Sequence, residues 1–197
     1  MNASIMPFAV FFASIFTGNI LLTNYLGMCS FLSVSKELKT SVGLGVAVIF
    51  VMATTTPLNY LVYHFVLLPF NLEYLRFIVF IIVIAAFVQL TEMTIERYSE
   101  GLYQSLGIFL PLITVNCAIL GVSLFMVIRQ YTFFTSFLFG LGSGIGWCIA
   151  IIAMAGIRQK LKHSQIPPGL EGPGIALVIA GFMAMAFMGF SGMIALS

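Results

Sequence analysis

The chain has 197 residues, of which 61% are hydrophobic and 7% are charged. Soluble domains carry about 25% charged residues, so this composition excludes a water-soluble globular protein and predicts an integral membrane protein. The net charge of +2 is too small to indicate a nucleic-acid-binding protein. The few charges mark the loops, because a charge at the centre of a spanning helix costs roughly 2.5 to 3.5 kcal/mol.

Six uncharged stretches lie between and around the charged groups. Each is long enough to supply the roughly 20 apolar residues that cross a bilayer. We therefore expect an all-α integral membrane protein with one transmembrane domain over residues 1–197. The six predicted transmembrane helices lie near residues 8–35, 40–66, 77–95, 102–127, 132–157 and 173–194.

The distribution of Lys and Arg predicts the orientation of these helices. The loops after spans two and four carry only Arg76 and Arg129, whereas those after spans one, three and five carry six cations. Cytoplasmic loops are enriched in Lys and Arg, so both termini are expected on the outer, periplasmic side. The six cations are Lys36, Lys39, Arg97, Arg158, Lys160 and Lys162.

A short repeat relates the two halves of the chain. The segments that begin at Cys29 and Cys117 share Cys, Leu, Val and Ser at the same offsets, and Thr-Ser and Gly-Leu-Gly follow each of them. The two segments lie on predicted spans one and four, an odd number of crossings apart. The repeat therefore predicts two inverted halves of three helices, over about residues 1–100 and 101–197.

Helix-breaking residues precede both cysteines: Gly27 before Cys29, and Pro111 and Asn116 before Cys117. Membrane proteins with inverted repeats often place their sites on interrupted helices near the bilayer midplane. We expect the first helix of each half to be interrupted here, with the two thiols facing each other inside the membrane.

The chemistry of these thiols has several alternatives. A free Cys is often only a small buried apolar residue, and we assign that role to Cys148, which has no counterpart in the repeat. Cys29 and Cys117 could form a disulfide or bind a soft metal centre, since thiolates select iron–sulfur clusters, zinc or Cu(I). Structural zinc and an all-cysteine [2Fe-2S] cluster each need four ligands, so a neighbouring protein would supply the missing two.

Several motifs of the chain match one known group of membrane subunits. They are LGMC at 26–29, VSK at 34–36, GIFLPLITVNCA at 107–118, AGIR at 155–158 and GFSG at 189–192. With these motifs the chain resembles the family of E subunits of sodium-translocating NADH:quinone oxidoreductases and the related A subunits of Rnf ferredoxin:NAD oxidoreductases, over nearly its whole length. The segments FLS at 31–33, VNC at 115–117, GSGIGW at 142–147 and PPGL at 167–170 favour the quinone reductase.

The resemblance implies a bacterial inner-membrane subunit that pairs with a homologous D subunit of opposite orientation. It implies that Cys29 and Cys117, with two cysteines of that D subunit, hold a [2Fe-2S] cluster that relays electrons across the membrane, coupled to sodium translocation. Other subunits of the complex would carry flavins, and neither NADH nor quinone is expected to bind this chain. Cys148 matches no ligand position of the family.

Glu92 is the acidic residue closest to the interior of a predicted span. It either caps the cytoplasmic end of span three in contact with water, or forms part of an ion pathway as an entry site for sodium, a hard cation that prefers oxygen ligands. Thr54, Thr55, Thr56 and Asn59 also offer oxygens, although polar residues beside a kink such as Pro57 more often satisfy the freed backbone.

Two other interpretations belong to different functional classes. An inverted-repeat secondary transporter would bind a small solute at the same midplane without iron, and a structural anchor for cytoplasmic enzymes would need neither cysteine. The glycine-rich run 140–146 superficially resembles a dinucleotide-binding loop, but no strand precedes it. Close helix packing through small residues explains the run better.

Overall fold

The computed structural model describes residues 7–98, 110–161 and 172–189, and these residues form helices and turns without any β-strand. The predicted all-helical class is therefore confirmed for this part of the chain. The α-helices are α1 (Pro7–Ile15), α2 (Met28–Val34), α3 (Leu38–Val62), α4 (Arg76–Tyr98), α5 (Leu110–Thr114), α6 (Cys117–Ile128), α7 (Phe133–Leu161) and α8 (Pro173–Met188). A π-helical turn, Tyr63–Leu67, extends α3, and a 3-10 turn, Glu73–Leu75, precedes α4.

Four helical segments are long and apolar enough to cross a membrane, as a multi-pass membrane protein requires. They are Leu38–Leu67, Glu73–Thr94, Pro111–Ile128 and Phe133–Leu161, and they coincide with predicted spans two to five to within a few residues where both are described. The apolar helix α8 has 16 residues in the predicted sixth span. Residues 102–109 of predicted span four and 190–194 of span six lie outside the described residues.

The predicted first span, residues 8–35, is not one continuous helix. α1 ends at Ile15 and α2 begins at Met28, with turns between them. The buried side chain of Asn19 supports this irregular backbone: its Nδ2 donates to the carbonyl oxygen of Gly146 over 2.8 Å, and its Oδ1 accepts from the N–H of Leu21 over 3.1 Å. Non-helical backbone at membrane depth needs such partners, because no water is available there.

Glycines on α7 allow α3 to approach it closely. A Cβ atom added at Gly140 would lie 2.7 Å from the carbonyl oxygen of Met52, and one at Gly144 would lie 2.9 Å from Cα of Ile49. Both contacts are with backbone atoms, which cannot move aside as a flexible side chain can. The two glycines are four residues apart and therefore share the helix face that packs against α3.

The alternate glycines of the same run face α1 instead. A Cβ atom at Gly142 would lie 2.8 Å from the carbonyl oxygen of Phe11, and one at Gly146 would lie 2.9 Å from that of Ile15. The run 140–146 thus forms two small-residue faces, one for each neighbouring helix. This arrangement agrees with the helix-packing interpretation of the glycines and makes α7 the central helix of the described fold.

Candidate functional site

Two breaks in the helical path lie directly before the two candidate cysteines. Gly27 precedes α2 with φ of +87°, a left-handed conformation that side chains other than glycine rarely adopt. Asn116 precedes α6 with an extended backbone, and its Oδ1 accepts from the N–H of Ala118 over 3.0 Å. A glycine and an N-cap asparagine are thus the local causes of the two breaks.

The two breaks contact each other. The backbone N–H of Gly27 donates to Sγ of Cys117 over 2.9 Å. Cys117 is the first residue of α6 and Cys29 is the second residue of α2, and both side chains are exposed on the surface of the chain. The structure therefore brings Gly27 and Cys117, 90 positions apart, into contact, and with them the beginnings of the two sequence-predicted cysteine segments.

From this place α2 and α6 run in opposite directions along α7. The C-terminal end of α2 lies at the C-terminal end of α7, because Nη1 of Arg158 donates to the carbonyl oxygen of Leu32 over 2.9 Å. The C-terminal end of α6, Ile128, lies close in sequence to Phe133, where α7 begins. A helix of 29 residues is about 43 Å long, so the two ends are far apart.

The donor atoms around Cys117 favour an acceptor or an anion. The N-terminal end of α6 carries partial positive charge, and the N–H of Gly27 adds one donor aimed at the sulfur. Nδ2 of Asn116 and Nε1 of Trp147 are buried and have no hydrogen-bond partner among the described residues. A Cβ atom at Gly27 would lie 2.7 Å from that indole nitrogen, so both residues border the same break.

These residues fit half of a thiolate-ligated cluster. An all-cysteine [2Fe-2S] cluster takes four thiolates, carries negative charge and accepts hydrogen bonds at sulfur. This chain presents two exposed thiols, each at the start of a helix that follows an interruption, and the N–H of Gly27 lies beside the sulfur of Cys117. In the described ranges no group of three or more His, Cys, Asp or Glu side chains could hold a metal ion.

The third cysteine lies apart from this pair. Cys148 is buried within α7, and its Sγ packs against Gly45 of α3. Its surroundings are those of a small residue that fills the contact between two helices.

The structure places Glu92 on α4, with its side chain half-buried. Neither a hydrogen bond nor an ion pair joins Glu92 to another described residue. The neighbouring Thr91 and Thr94 donate to the backbone carbonyls of Phe87 and Leu90.

The polar residues around Pro57 mostly bond to nearby groups. Thr55 and Thr56 donate to carbonyl oxygens one turn earlier, each over 2.7 Å. Asn59 donates from Nδ2 to Oγ of Ser123 on α6 over 2.8 Å. These contacts are those of polar side chains that bond the helix backbone and join α3 to α6.

Two residues near the cysteines are not identified by the sequence pattern. From the sequence, Arg158 is assigned to a cytoplasmic loop as one of its cations. In the structure its Nη1 donates to Leu32 and Ser35 at the end of α2. In the sequence, Trp147 is only the last residue of the GSGIGW motif. In the structure it is fully buried beside Gly27. A lone tryptophan in an apolar helix and an arginine near the end of that helix were the available signals, but neither indicates its contact partner.

Known proteins resemble the chain along nearly all of its length. The family described as "Rnf-Nqr subunit, membrane protein" matches residues 7–194.

Three relatives are each named as the E subunit of a Na(+)-translocating NADH-quinone reductase. The relative from Psychromonas ingrahamii is 53% identical over 194 residues, covering 93% of this chain and 96% of the relative. That of Aeromonas hydrophila is 54% identical over 185 residues, covering 91% and 93%. That of Maridesulfovibrio salexigens is 51% identical over 193 residues, covering 93% and 96%. The chain therefore belongs to the Rnf-Nqr family of membrane protein subunits.

Proposed function

We propose that this chain is a membrane subunit of a sodium-translocating NADH:quinone reductase and that Cys29 and Cys117 ligate an intramembrane [2Fe-2S] cluster. The names of its relatives support the assignment to that complex rather than to an Rnf complex. The observation that carries the site is the contact between Gly27 and Cys117, because it joins the two cysteine segments at one interruption.

The proposed architecture has six spans in two inverted halves. α1 and α2 together form the first span, and α8 belongs to the sixth. Two features support the inversion: α2 and α6 diverge from one point in opposite directions, and α3 and α7, which follow them, pack on each other through glycines. In this arrangement both termini face the periplasm and the loops rich in Lys and Arg face the cytoplasm of a bacterial inner membrane.

The proposed depth of the cysteines follows from helix lengths. α2 has 7 residues and α6 has 12, which correspond to about 10 Å and about 18 Å of helix. Together these lengths approach the ~30 Å of the hydrocarbon core. The interruption between them then lies within the apolar layer, at a depth that divides the crossing of an electron into two shorter steps.

A partner protein completes the proposed ligand set. Cys29, Cys117 and Val115 are exposed on this chain, and irregular backbone at membrane depth is stable only when protein or a cavity covers it. The homologous D subunit, inverted relative to this chain, would cover the interruption and supply two further thiolates by the same motif. Subunits with flavins would deliver and remove electrons on the two sides.

The residues of this chain bind and insulate the proposed cluster, which when bound accepts and donates one electron at a time. Cys29 and Cys117 supply sulfur ligands, and the N–H of Gly27 donates to one of these sulfurs. Buried apolar residues such as Phe31 and Ala118 next to the ligands exclude water. Exclusion of water and hydrogen bonds to sulfur are among the factors that set the reduction potential of such a centre.

Iron and acid-labile sulfide in the purified complex test this proposal. Cys29→Ser and Cys117→Ser should each lower the iron and sulfide contents by the amounts that one [2Fe-2S] cluster contains. Cys148→Ser is the matched control and should leave both contents unchanged. Equal iron and sulfide in all three variants would contradict the proposal, and would favour a transporter or an anchoring subunit if activity also persisted.

We also propose Glu92 as part of the sodium pathway. Its half-buried carboxylate lies on a largely apolar helix, where a charge is retained at a cost. Glu92→Gln should raise the sodium concentration needed for half-maximal turnover, whereas Glu96→Gln, the exposed carboxylate one turn later, should not. An unchanged sodium dependence in Glu92→Gln would assign Glu92 to helix capping alone.

A further inference from the structure

Arg158 on α7 bonds to the end of the helix that carries Cys29. Its Nη1 donates to the carbonyl oxygen of Leu32 over 2.9 Å and lies 2.8 Å from Oγ of Ser35, which is fully buried. These residues are more than 120 positions apart in the chain, so the contact ties α7 to α2.

The last carbonyls of a helix lack partners within the helix. In α2, the carbonyl of Phe31 accepts from the N–H of Ser35, and that of Val34 accepts from Oγ of Ser41. Arg158 supplies the partner for Leu32. A cation at the C-terminal end of a helix also interacts favourably with the helix dipole.

This support matters because α2 has only 7 residues. A helix this short is unstable unless tertiary contacts hold it. Its N-terminal end is held by the contact of Gly27 with Cys117, and its C-terminal end by Arg158. Cys29 lies between these two contacts, one turn before Leu32, so both of them restrict where its sulfur can lie.

Arg158 also contributes charge close to Cys29. Cys29, Lys36 and Arg158 line one open cavity of about 360 Å³, and no acidic residue is among its described lining residues. Two positive charges therefore border the cavity next to the thiol. Positive charge near an iron–sulfur cluster stabilises its reduced, more negative form.

We infer that Arg158 is a positioning residue for the cluster: it fixes Cys29 through the end of α2 and raises the reduction potential of the centre. This inference rests on the proposed function. It assigns a role to a side chain that touches neither the cysteines' sulfur atoms nor any substrate in this structure.

The test compares Arg158→Gln and Arg158→Lys in the whole purified complex. Arg158→Gln removes the charge and should shift the midpoint potential of the cluster's electron paramagnetic resonance signal to a more negative value. Arg158→Lys keeps the charge and one donor, so its potential should return towards that of the unaltered complex. Arg129→Gln, a cation at the opposite end of the fold, is the matched control and should not shift it.

Hydrogen exchange of the α2 amides provides a second readout that does not depend on iron. Loss of a hydrogen bond to a charged group should make exchange at residues 29–35 about tenfold faster or more in Arg158→Gln. Faster exchange with an unchanged potential would make Arg158 merely structural and would overturn the inference. Unchanged exchange would overturn it as well.

The two proposals fail in different ways. If the unaltered complex carries no iron that depends on Cys29 and Cys117, the proposed function fails and this inference fails with it. If that iron is present and Arg158→Gln leaves its potential unchanged, only the inference about Arg158 fails. Should Arg158→Gln not assemble, hydrogen exchange in Arg158→Lys decides. Lysine keeps only one of the two bonds that Nη1 makes, so residues 29–35 should exchange faster than in Arg129→Lys, and equal exchange in these two variants would overturn the inference.

Discussion

Gly27 and Cys117 are joined by a hydrogen bond from a backbone N–H to a sulfur atom, over 2.9 Å. One residue ends the first helical break and the other begins the helix after the second break. The two interruptions are therefore one structural unit, and a change in either of them should affect the position of both cysteines.

Gly27→Ala should destabilise this unit. Alanine at φ of +87° costs roughly 1 to 2 kcal/mol, and its Cβ would lie 2.7 Å from Nε1 of Trp147, an overpacking that costs about 1 to 3 kcal/mol more. We expect a lower melting temperature of the purified complex together with a lower iron content.

Gly156→Ala is the control for that substitution. It lies in α7, and among the described residues beyond its own stretch of helix none lies within 4 Å of an added Cβ. Alanine is more favourable than glycine in a helix by about 1 kcal/mol, so this variant should be as stable as the unaltered chain or slightly more stable. Equal behaviour of the two alanine variants would contradict the contact described at Gly27.

Asn116 should act through its side-chain oxygen. Asn116→Ala removes the N-cap of α6 and should cost about 1 kcal/mol, whereas Asn116→Ser retains an acceptor for the N–H of Ala118. Thermal unfolding of the complex measures the difference, and iron content shows whether Cys117 stays in place. A serine variant as damaged as the alanine variant would show that the amide nitrogen, not the cap, is needed.

Gly144 should be required for the contact between α3 and α7. A Cβ there would lie 2.9 Å from Cα of Ile49, so Gly144→Ala forces the two helices apart. The yield of assembled complex after detergent extraction should fall. Gly181→Ala on α8 serves for comparison, because no part of the described structure outside the adjoining helix lies within 4 Å of a Cβ there. A similar loss of yield in this variant would remove the packing explanation.

Cys148→Ala should be tolerated. Its buried sulfur fills space against Gly45, and losing one small group from a core costs about 1 kcal/mol. The melting temperature should fall slightly, with iron and sulfide unaltered. A loss of iron in this variant would mean that Cys148 takes part in the site.

Much of the fold follows from the sequence because lipid imposes simple rules. Charges mark the ends of spans, so the helices Leu38–Leu67 and Phe133–Leu161 lie close to their predicted positions. The interruption before Cys29 is predictable from local residue types: Gly27 and the polar residues before it are poor helix formers.

The supporting contacts are not predictable in the same way. Three residues have partners more than 100 positions away in the chain. Asn19 and Arg158 donate hydrogen bonds to such residues, and Trp147 lies beside Gly27. Their residue types are compatible with loops, caps or aromatic packing, and only the folded arrangement of α1, α2 and α7 identifies their partners. Local pattern therefore locates the cysteines, whereas tertiary structure identifies what holds them.

The most direct test of the proposed site is a high-resolution map of the whole purified complex. We expect the sulfur atoms of Cys29 and Cys117 to contact one compact iron density inside the membrane, completed by two cysteines of a neighbouring protein. A map in which these two sulfur atoms lie apart, or share no inorganic density, would contradict the proposed site.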